Sequence, residues 1–200
     1  PQSNPKRANK INGLKEKDLV GIPWRVALAL QADGWYLRQD IIWHKPNPMP
    51  ESVKDRCTKS HEYIFLLSKK PHYYFDSEAI SEEANYKGVD RGGSTNQYEQ
   101  NNFGADNRQY DKRNKRSVWS VCPSAYKEAH FAVFPEELIT PCILSGSPKY
   151  GNVLDPFGGS GTVGIACKRH KRNVTLIELN PEYEKFIRSR YKEPVQDLLV

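Results

Sequence analysis

The sequence predicts an α/β fold, and three observations carry that prediction. An apolar run, Val153-Leu154, ends at Asp155, turns through Gly158-Gly159-Ser160-Gly161 and enters the helix-like run Thr162–Cys167. A second apolar run, Val174–Ile177, ends at Glu178 and completes a strand–helix–strand pattern. Upstream, strand-like segments at 35–43 and 62–68 follow a helical one at 22–34. Strands alternating with helices give a sheet covered by helices rather than a bundle or a sandwich.

The elements follow in order. Residues 1–18 are polar and basic and read as loop. In 22–34, Pro23 suits a first helical turn, Trp24, Ala27, Leu28 and Leu30 supply apolar faces, and Gly34 can end the helix. Residues 35–43 read as a strand that His44-Lys45-Pro46-Asn47-Pro48-Met49-Pro50 cannot continue, because proline donates no ladder hydrogen bond. Glu62–Ser68 is a further strand, and Tyr73-Tyr74-Phe75 is expected to pair with it as a hairpin. Ser117–Val121 reads as a short strand, and 135–145 as a helix opened by Pro135 and broken at Pro141. Residues 150–188 form the C-terminal unit, where Asn180-Pro181 is an N-cap and first-turn pair for a helix over Glu182–Tyr191.

Residues 81–117 change character. They are rich in Asn, Gln, Gly, Lys and Arg, with few aliphatics. From Tyr86 to Arg116, seven Lys and Arg (Lys87, Arg91, Arg108, Lys112, Arg113, Lys115, Arg116) oppose four Asp and Glu, a net +3. Tyr86, Tyr98, Phe103 and Tyr110 are interleaved with them. Cations meet phosphates while aromatics and amides reach or stack on bases, so the segment is a candidate nucleic-acid contact. A solvated surface loop has the same composition.

The whole chain agrees with that balance. Its 200 residues suffice for one domain with a core, and its net charge of +6 favours a polyanionic partner. Cys57, Cys122, Cys142 and Cys167 show no metal-ligand or disulfide spacing, and no long apolar span occurs. No metal is expected, and the expected location is the cytoplasm.

The glycine turn narrows the ligand. A strand, a tight turn and a helix start present backbone N–H groups to a ligand, and an acidic residue after the second strand is where ribose hydroxyls are held. Gly159-x-Gly161-x-x-Gly164 also fits a dinucleotide fingerprint, which points to an NAD-dependent oxidoreductase as the competing reading. Asp155 beside the turn opposes a diphosphate and suits a cationic nucleoside, and S-adenosylmethionine is one. Asp155 then serves the methionine amino end, the backbone of Phe157, Gly159 and Gly161 lies under the ligand, and Glu178 takes the ribose.

Asp155-Pro156-Phe157-Gly158-Gly159-Ser160-Gly161-Thr162 resembles the cofactor motif of the DNA amino-methyltransferases, which methylate cytosine N4 or adenine N6. Phe134–Leu138 resembles the family's helix opening before that loop, and Trp43–Pro48 and His61–Phe65 resemble segments between its catalytic and recognition regions. The resemblance runs from about Leu19 to Tyr191, apart from 81–117. It implies a Rossmann-like, S-adenosylmethionine-dependent methyltransferase fold in the circularly permuted order. Residues 1–80 belong to the catalytic region, 81–128 form a target-recognition insertion, and 129–200 bind the cofactor. The implied partner is double-stranded DNA with a flipped target base, in a restriction–modification, phage or regulatory setting, and overall resemblance leans to cytosine N4. Phe134 and Pro135 join the cofactor set on this ground. On the DNA side stand Trp43, Lys45 and Asn47 near the base, with Arg108, Lys112, Arg113, Lys115 and Arg116 near phosphates. Trp43 reads equally well as core.

One expected part is missing. The family's catalytic motif is Ser/Asp/Asn-Pro-Pro followed by an aromatic residue, and the chain contains no Pro-Pro. Together with Pro1 in place of Met, this reads as a fragment whose motif and part of whose sheet lie upstream; a non-catalytic, nucleic-acid-binding remnant is the alternative.

Overall fold

A computed structural model of the protein describes residues 13–84, 111–123 and 133–192. Helix α1 (Ile22–Ala32) starts after Gly21, with Pro23 in its first turn. It ends where Gly34, at φ 93°, turns left-handed, and the Trp35 N–H returns to the Leu30 carbonyl at 3.0 Å. The chain then enters β1 (Tyr36–His44), which pairs antiparallel with β2 (His61–Ser68), Ile42 opposite Tyr63. Trp24 of α1 lies edge-on to Tyr63 and Phe65 of β2, at 5.4 and 4.9 Å between ring centroids, and so fixes the helix on this sheet.

Two short strands, β3 (Glu82–Glu83) and β4 (Lys112–Arg113), pair antiparallel. Strand β5 (Val118–Ser120) adds parallel to β1, Trp43 opposite Trp119. Helix α2 (Glu136–Gly146) follows. Then β6 (Asn152–Asp155), α3 (Thr162–Arg169) and β7 (Asn173–Leu176) form the strand–helix–strand unit with parallel pairing, and α4 (Pro181–Lys192) closes the described chain. Asn180 caps α4 as the sequence predicts: its Oδ1 accepts the Glu182 N–H at 3.0 Å.

The core has two centres that share one helix. Trp43, Trp119 and Val121 bury against Leu138 of α2, with Phe134 and Cys142 beside them. Ile143 of α2 buries against Val163, Ala166 and Cys167 of α3, again with Phe134 alongside. Helix α2 and Phe134 therefore join the β2-β1-β5 sheet to the β6-β7 unit.

Two sequence expectations are corrected. Pro141 does not break α2, which runs unbroken from Glu136 to Gly146. An internal proline costs about 3 kcal/mol, but burying two aliphatic side chains such as Leu138 and Ile143 gains about 1.5–3 kcal/mol each. Tyr73–Phe75 is not a strand, since β2 takes its partner from β1. An eight-rung antiparallel ladder to a nine-residue strand satisfies that edge more fully than a three-residue hairpin arm could. Among the described residues β1 and β2 form a sheet with β5, and β6 bonds only β7.

Candidate functional site

The site is built where β6 and β7 end side by side. Asp155 closes β6, and its Oδ1 accepts the Phe157 N–H at 3.0 Å, which bends the chain through Pro156. The Gly158 N–H then crosses to the Ile177 carbonyl at 2.8 Å, and the Gly161 N–H returns to the Gly158 carbonyl at 2.7 Å. Gly159 and Gly161 sit at φ 51° and 78°, the left-handed region where a side chain is strained. Gly161 is also the N-cap of α3, and Ser160 and Thr162 hydroxyls bond each other at 3.0 Å beside it. The Arg190 guanidinium of α4 donates to the Ser160 carbonyl and secures the loop from the other side.

Glu178 follows β7, and both its oxygens are engaged. Oε2 accepts the Gly159 N–H at 2.7 Å, and Oε1 accepts the Asn180 N–H at 2.8 Å. The Asn180 bond first, and the Gly159 bond next, hold this carboxyl below its ordinary value. Each oxygen keeps a further lone pair for a hydroxyl donor. Phe157 and Leu179 stand at the ends of the two strands, 86% and 97% exposed. The fold leaves these two apolar side chains bare to solvent.

Phe134 and Asp155, named on separate grounds, line one cavity of about 390 Å³ with Val153, Leu154, Cys142 and Ile143. Burial pushes the Cys142 thiol up to about 11, so it lines the cavity as a neutral apolar group. Pro135 holds the N-cap position of α2. Next to it, Glu136 reaches Arg169 of α3 at 2.6 Å, a pairing of distant residues that no local sequence signal announces.

The proposed DNA-side residues divide. Trp43 is core, 5% exposed, with its Nε1–H donated to the Val121 carbonyl at 2.8 Å. Lys45 lies over the Trp43 ring, 4.4 Å from its centroid, and pairs with Glu62. It borders a second cavity of about 540 Å³ with Met49, Lys59, His61 and Tyr63. Asn47 is exposed in the following loop. Lys112 and Arg113 form β4, while Lys115 and Arg116 follow it. Arg113, Lys115 and Arg116 all converge on Glu82, which sequence reasoning passed over. Arg108 lies outside the described residues. Among the described residues, no group of three His, Cys, Asp or Glu could hold a metal ion, and no helix is long and apolar enough to cross a membrane.

A glycine loop tied to the acidic residue that ends the next strand is, in α/β proteins, an arrangement that suits a nucleoside-like ligand. The profile of the DNA methylase family (N6/N4 methyltransferases) matches residues 4–189, and the chain belongs to that family. It is 51% identical over 187 residues to the Type II methyltransferase M.Cfr9I of Citrobacter freundii, covering 91% of this chain and 55% of that protein. It is 49% identical over 178 residues to M.SmaI of Serratia marcescens, covering 89% and 54%. The chain thus spans about half the length of these curated relatives. Among solved structures, the fold is similar to the PvuII DNA methyltransferase (cytosine-N4-specific), with TM-score 0.64, 19% identity, and 86% of this chain and 57% of that one covered. It is also similar to the M1.HpyAVI–SAM complex, with TM-score 0.54, 23% identity, and 86% and 71% covered. The α/β fold of the DNA methyltransferases is therefore the fold of this chain.

Proposed function

We propose that this chain carries the cofactor-binding and DNA-facing parts of a DNA methyltransferase that moves a methyl group from S-adenosylmethionine to an exocyclic base amine. The observation that supports it most directly is the tie between Glu178 and the glycine loop, with Asp155 opening that loop and Phe157 and Leu179 exposed beside it. This donor set fits the cofactor. A carboxylate at Asp155 suits an ammonium, Glu178 suits vicinal ribose hydroxyls, and exposed apolar side chains suit an adenine ring. A diphosphate at the same turn would meet the Asp155 carboxylate, which disfavours a dinucleotide. Two proteins similar in fold, M1.HpyAVI and TTHA0409 of Thermus thermophilus, have structures in complex with S-adenosylmethionine.

When bound, S-adenosylmethionine supplies an electrophilic methyl on a sulfonium. This chain's residues hold it: the backbone of Phe157, Gly159 and Gly161 from below, Asp155 and Glu178 at its two polar ends, Phe134 and Pro135 from α2. The remaining task is to present an amine whose lone pair is delocalised into the base ring. A Pro-Pro-aromatic motif would accept the amine's hydrogens and stack on the base, and we place that motif upstream of residue 1. The 200 residues alone are then expected to bind cofactor without turning over. The base must leave the duplex, at a cost of about a few kcal/mol, and transfer is chiefly a matter of positioning. Cytosine N4 is the favoured target, which is the specificity of the PvuII enzyme whose fold this chain shares.

Isothermal titration of the chain with S-adenosylhomocysteine and with NAD tests the cofactor assignment. Micromolar binding of the first and none of the second is expected; tighter binding of NAD overturns it. Nucleoside mass spectrometry of DNA treated with the full reading frame then reads the target, as N4-methylcytosine or N6-methyladenine.

A further inference from the structure

Strands β3 and β4 form a neck. The Ala84 N–H donates to the Asp111 carbonyl at 2.9 Å, so the chain between these two residues leaves and returns at one place. Glu82 lies opposite Arg113 in the ladder and Glu83 opposite Lys112, a cross-strand match of opposite charges. At Glu82 the match is exceeded. Arg116 donates to it from Nε at 3.0 Å and from its backbone at 3.4 Å. Arg113 approaches to 3.5 Å and Lys115 to 3.7 Å. Three cations thus surround one carboxylate, two of them beyond good hydrogen-bond distance.

One carboxylate offsets only one of three positive charges, and cations gathered at one point repel each other. Yet the cluster is held firmly on both sides. The Arg116 carbonyl accepts the indole N–H of the buried Trp119 at 2.7 Å. On the other side, the Asp76 N–H donates to the Ser145 carbonyl of α2 at 2.9 Å, and the Asp76 carboxylate accepts the Ala79 N–H at 3.0 Å just before β3. Among the described residues, Arg113 Nε is a buried donor with no acceptor. Arg113 also lines a small polar cavity of about 260 Å³ with Ser77, Ser81, Lys112, Asn114 and one carboxylate, Glu78, whose single charge Lys112 and Arg113 outweigh. Fixed excess positive charge, an unspent guanidinium donor and nearby hydroxyl and amide groups together suit an anion with several acceptor oxygens.

We propose that Glu82 is a positioning residue that gathers Arg113, Lys115 and Arg116 into a seat for one DNA backbone phosphate at the base of the recognition insertion. The proposal rests on the DNA reading above. Glu82 does not touch the DNA; it sets the spacing and direction of the three cations, whose combined charge exceeds its own by two. A phosphodiester enters on the side away from the carboxylate and takes the donors that Glu82 leaves unspent.

Duplex DNA binding by the full chain, followed by fluorescence anisotropy across a salt series, tests this with wild type, E82Q, E82D and the triple variant R113Q/K115Q/R116Q. Each phosphate contact contributes about 0.9 to the slope of log affinity against log salt. E82Q raises the net charge, yet is expected to bind roughly five- to tenfold more weakly with a slope lower by about one, E82D to recover part of both, and the triple variant to match or exceed the loss. S-adenosylhomocysteine affinity, unchanged in all variants, verifies folding. If E82Q binds DNA as well as or more tightly than wild type, or the triple variant keeps the full slope, the seat is overturned. If wild type itself shows no salt-dependent binding, the DNA reading fails first.

Discussion

The Glu178 carboxylate accepts the Gly159 backbone N–H at 2.7 Å, across nineteen positions of sequence. A second bond, from the Asn180 N–H at 2.8 Å, makes this one side chain the link between the turn after β6 and the turn after β7. The carboxylate proposed to hold the ligand is thus already shaping the loop beneath it. E178Q retains one oxygen and sets an amide NH2 against a backbone donor, so one of the two bonds must fail. Binding of S-adenosylhomocysteine is expected to weaken roughly ten- to hundredfold, with a lower melting temperature. Titration calorimetry and thermal melts check both, and wild-type affinity in E178Q would remove Glu178 from the site.

Acid should destabilise the fold in two windows. Burial foremost, with the charges of Arg172 and Arg169, lowers the His170 pKa from 6.5, against the opposing pull of Glu136. For Glu82, burial pulls upward, but the Arg116 hydrogen bonds and the neighbouring charges outweigh it and leave the carboxyl below 4.5. Glu178 lies below 4.5 through its backbone bonds. In all three the folded pKa is the lower, so the unfolded chain binds the proton more readily and stability falls as pH falls. His170 acts once pH drops through 6.5, and the carboxylates add their loss below 4.5. Thermal melts from pH 8 to 3 should show a shallow decline and then a steeper one. H170N should flatten the first, and E178Q should reduce the second.

Two glycines of the α3 start should respond differently to alanine. Gly161 holds φ 78°, and an added Cβ would lie 3.2 Å from two Ile187 carbons of α4. Left-handed backbone costs a non-glycine residue about 1–2 kcal/mol before that contact is counted. Gly164 lies inside the helix with ordinary backbone, where its Cβ would press on the Leu176 Cδ1 methyl at 2.9 Å, the end of a side chain, and lie 3.8 Å from Leu176 Cγ and Tyr191 Cδ2. Alanine also gains helix propensity there, about 1 kcal/mol over glycine. G161A should therefore lower the melting temperature and weaken cofactor binding, while G164A stays near wild type in both. Equal losses would show that packing against Leu176, rather than backbone conformation, limits this loop.

These contrasts explain what the sequence made legible. The glycine turn, Glu178, the Asn180-Pro181 cap and the end of α1 at Gly34 are each fixed within a few residues by backbone rules, and each lies where the sequence places it. Pro141 misled because its local cost is set against burial contributed by residues far away in sequence. Glu82 was invisible for the same reason. Its meaning comes from three cations that reach it only when β3 meets β4, thirty residues later. The outer faces of Trp43 and Phe157 look alike in sequence, yet one is buried and the other bare, since only the fold decides which strand end is covered.

Trp43 offers a last test, between a ring that stacks on a base and one that holds the core. It lies against Trp119, Val121 and Leu138, and its indole N–H bonds the Val121 carbonyl in a buried setting. W43F keeps an aromatic face but orphans that carbonyl and leaves a gap. The cost should be about 1–3 kcal/mol, or a melting temperature lower by roughly 3–10 °C. S-adenosylhomocysteine affinity should fall far less than in E178Q, because among the described residues this cluster meets the proposed cofactor set only through Phe134. In the full-length enzyme, W43F should lose activity only in proportion to folded protein, with KM for DNA unchanged at a temperature where the variant is fully folded. A stable W43F variant with a raised KM for DNA would return Trp43 to the base pocket.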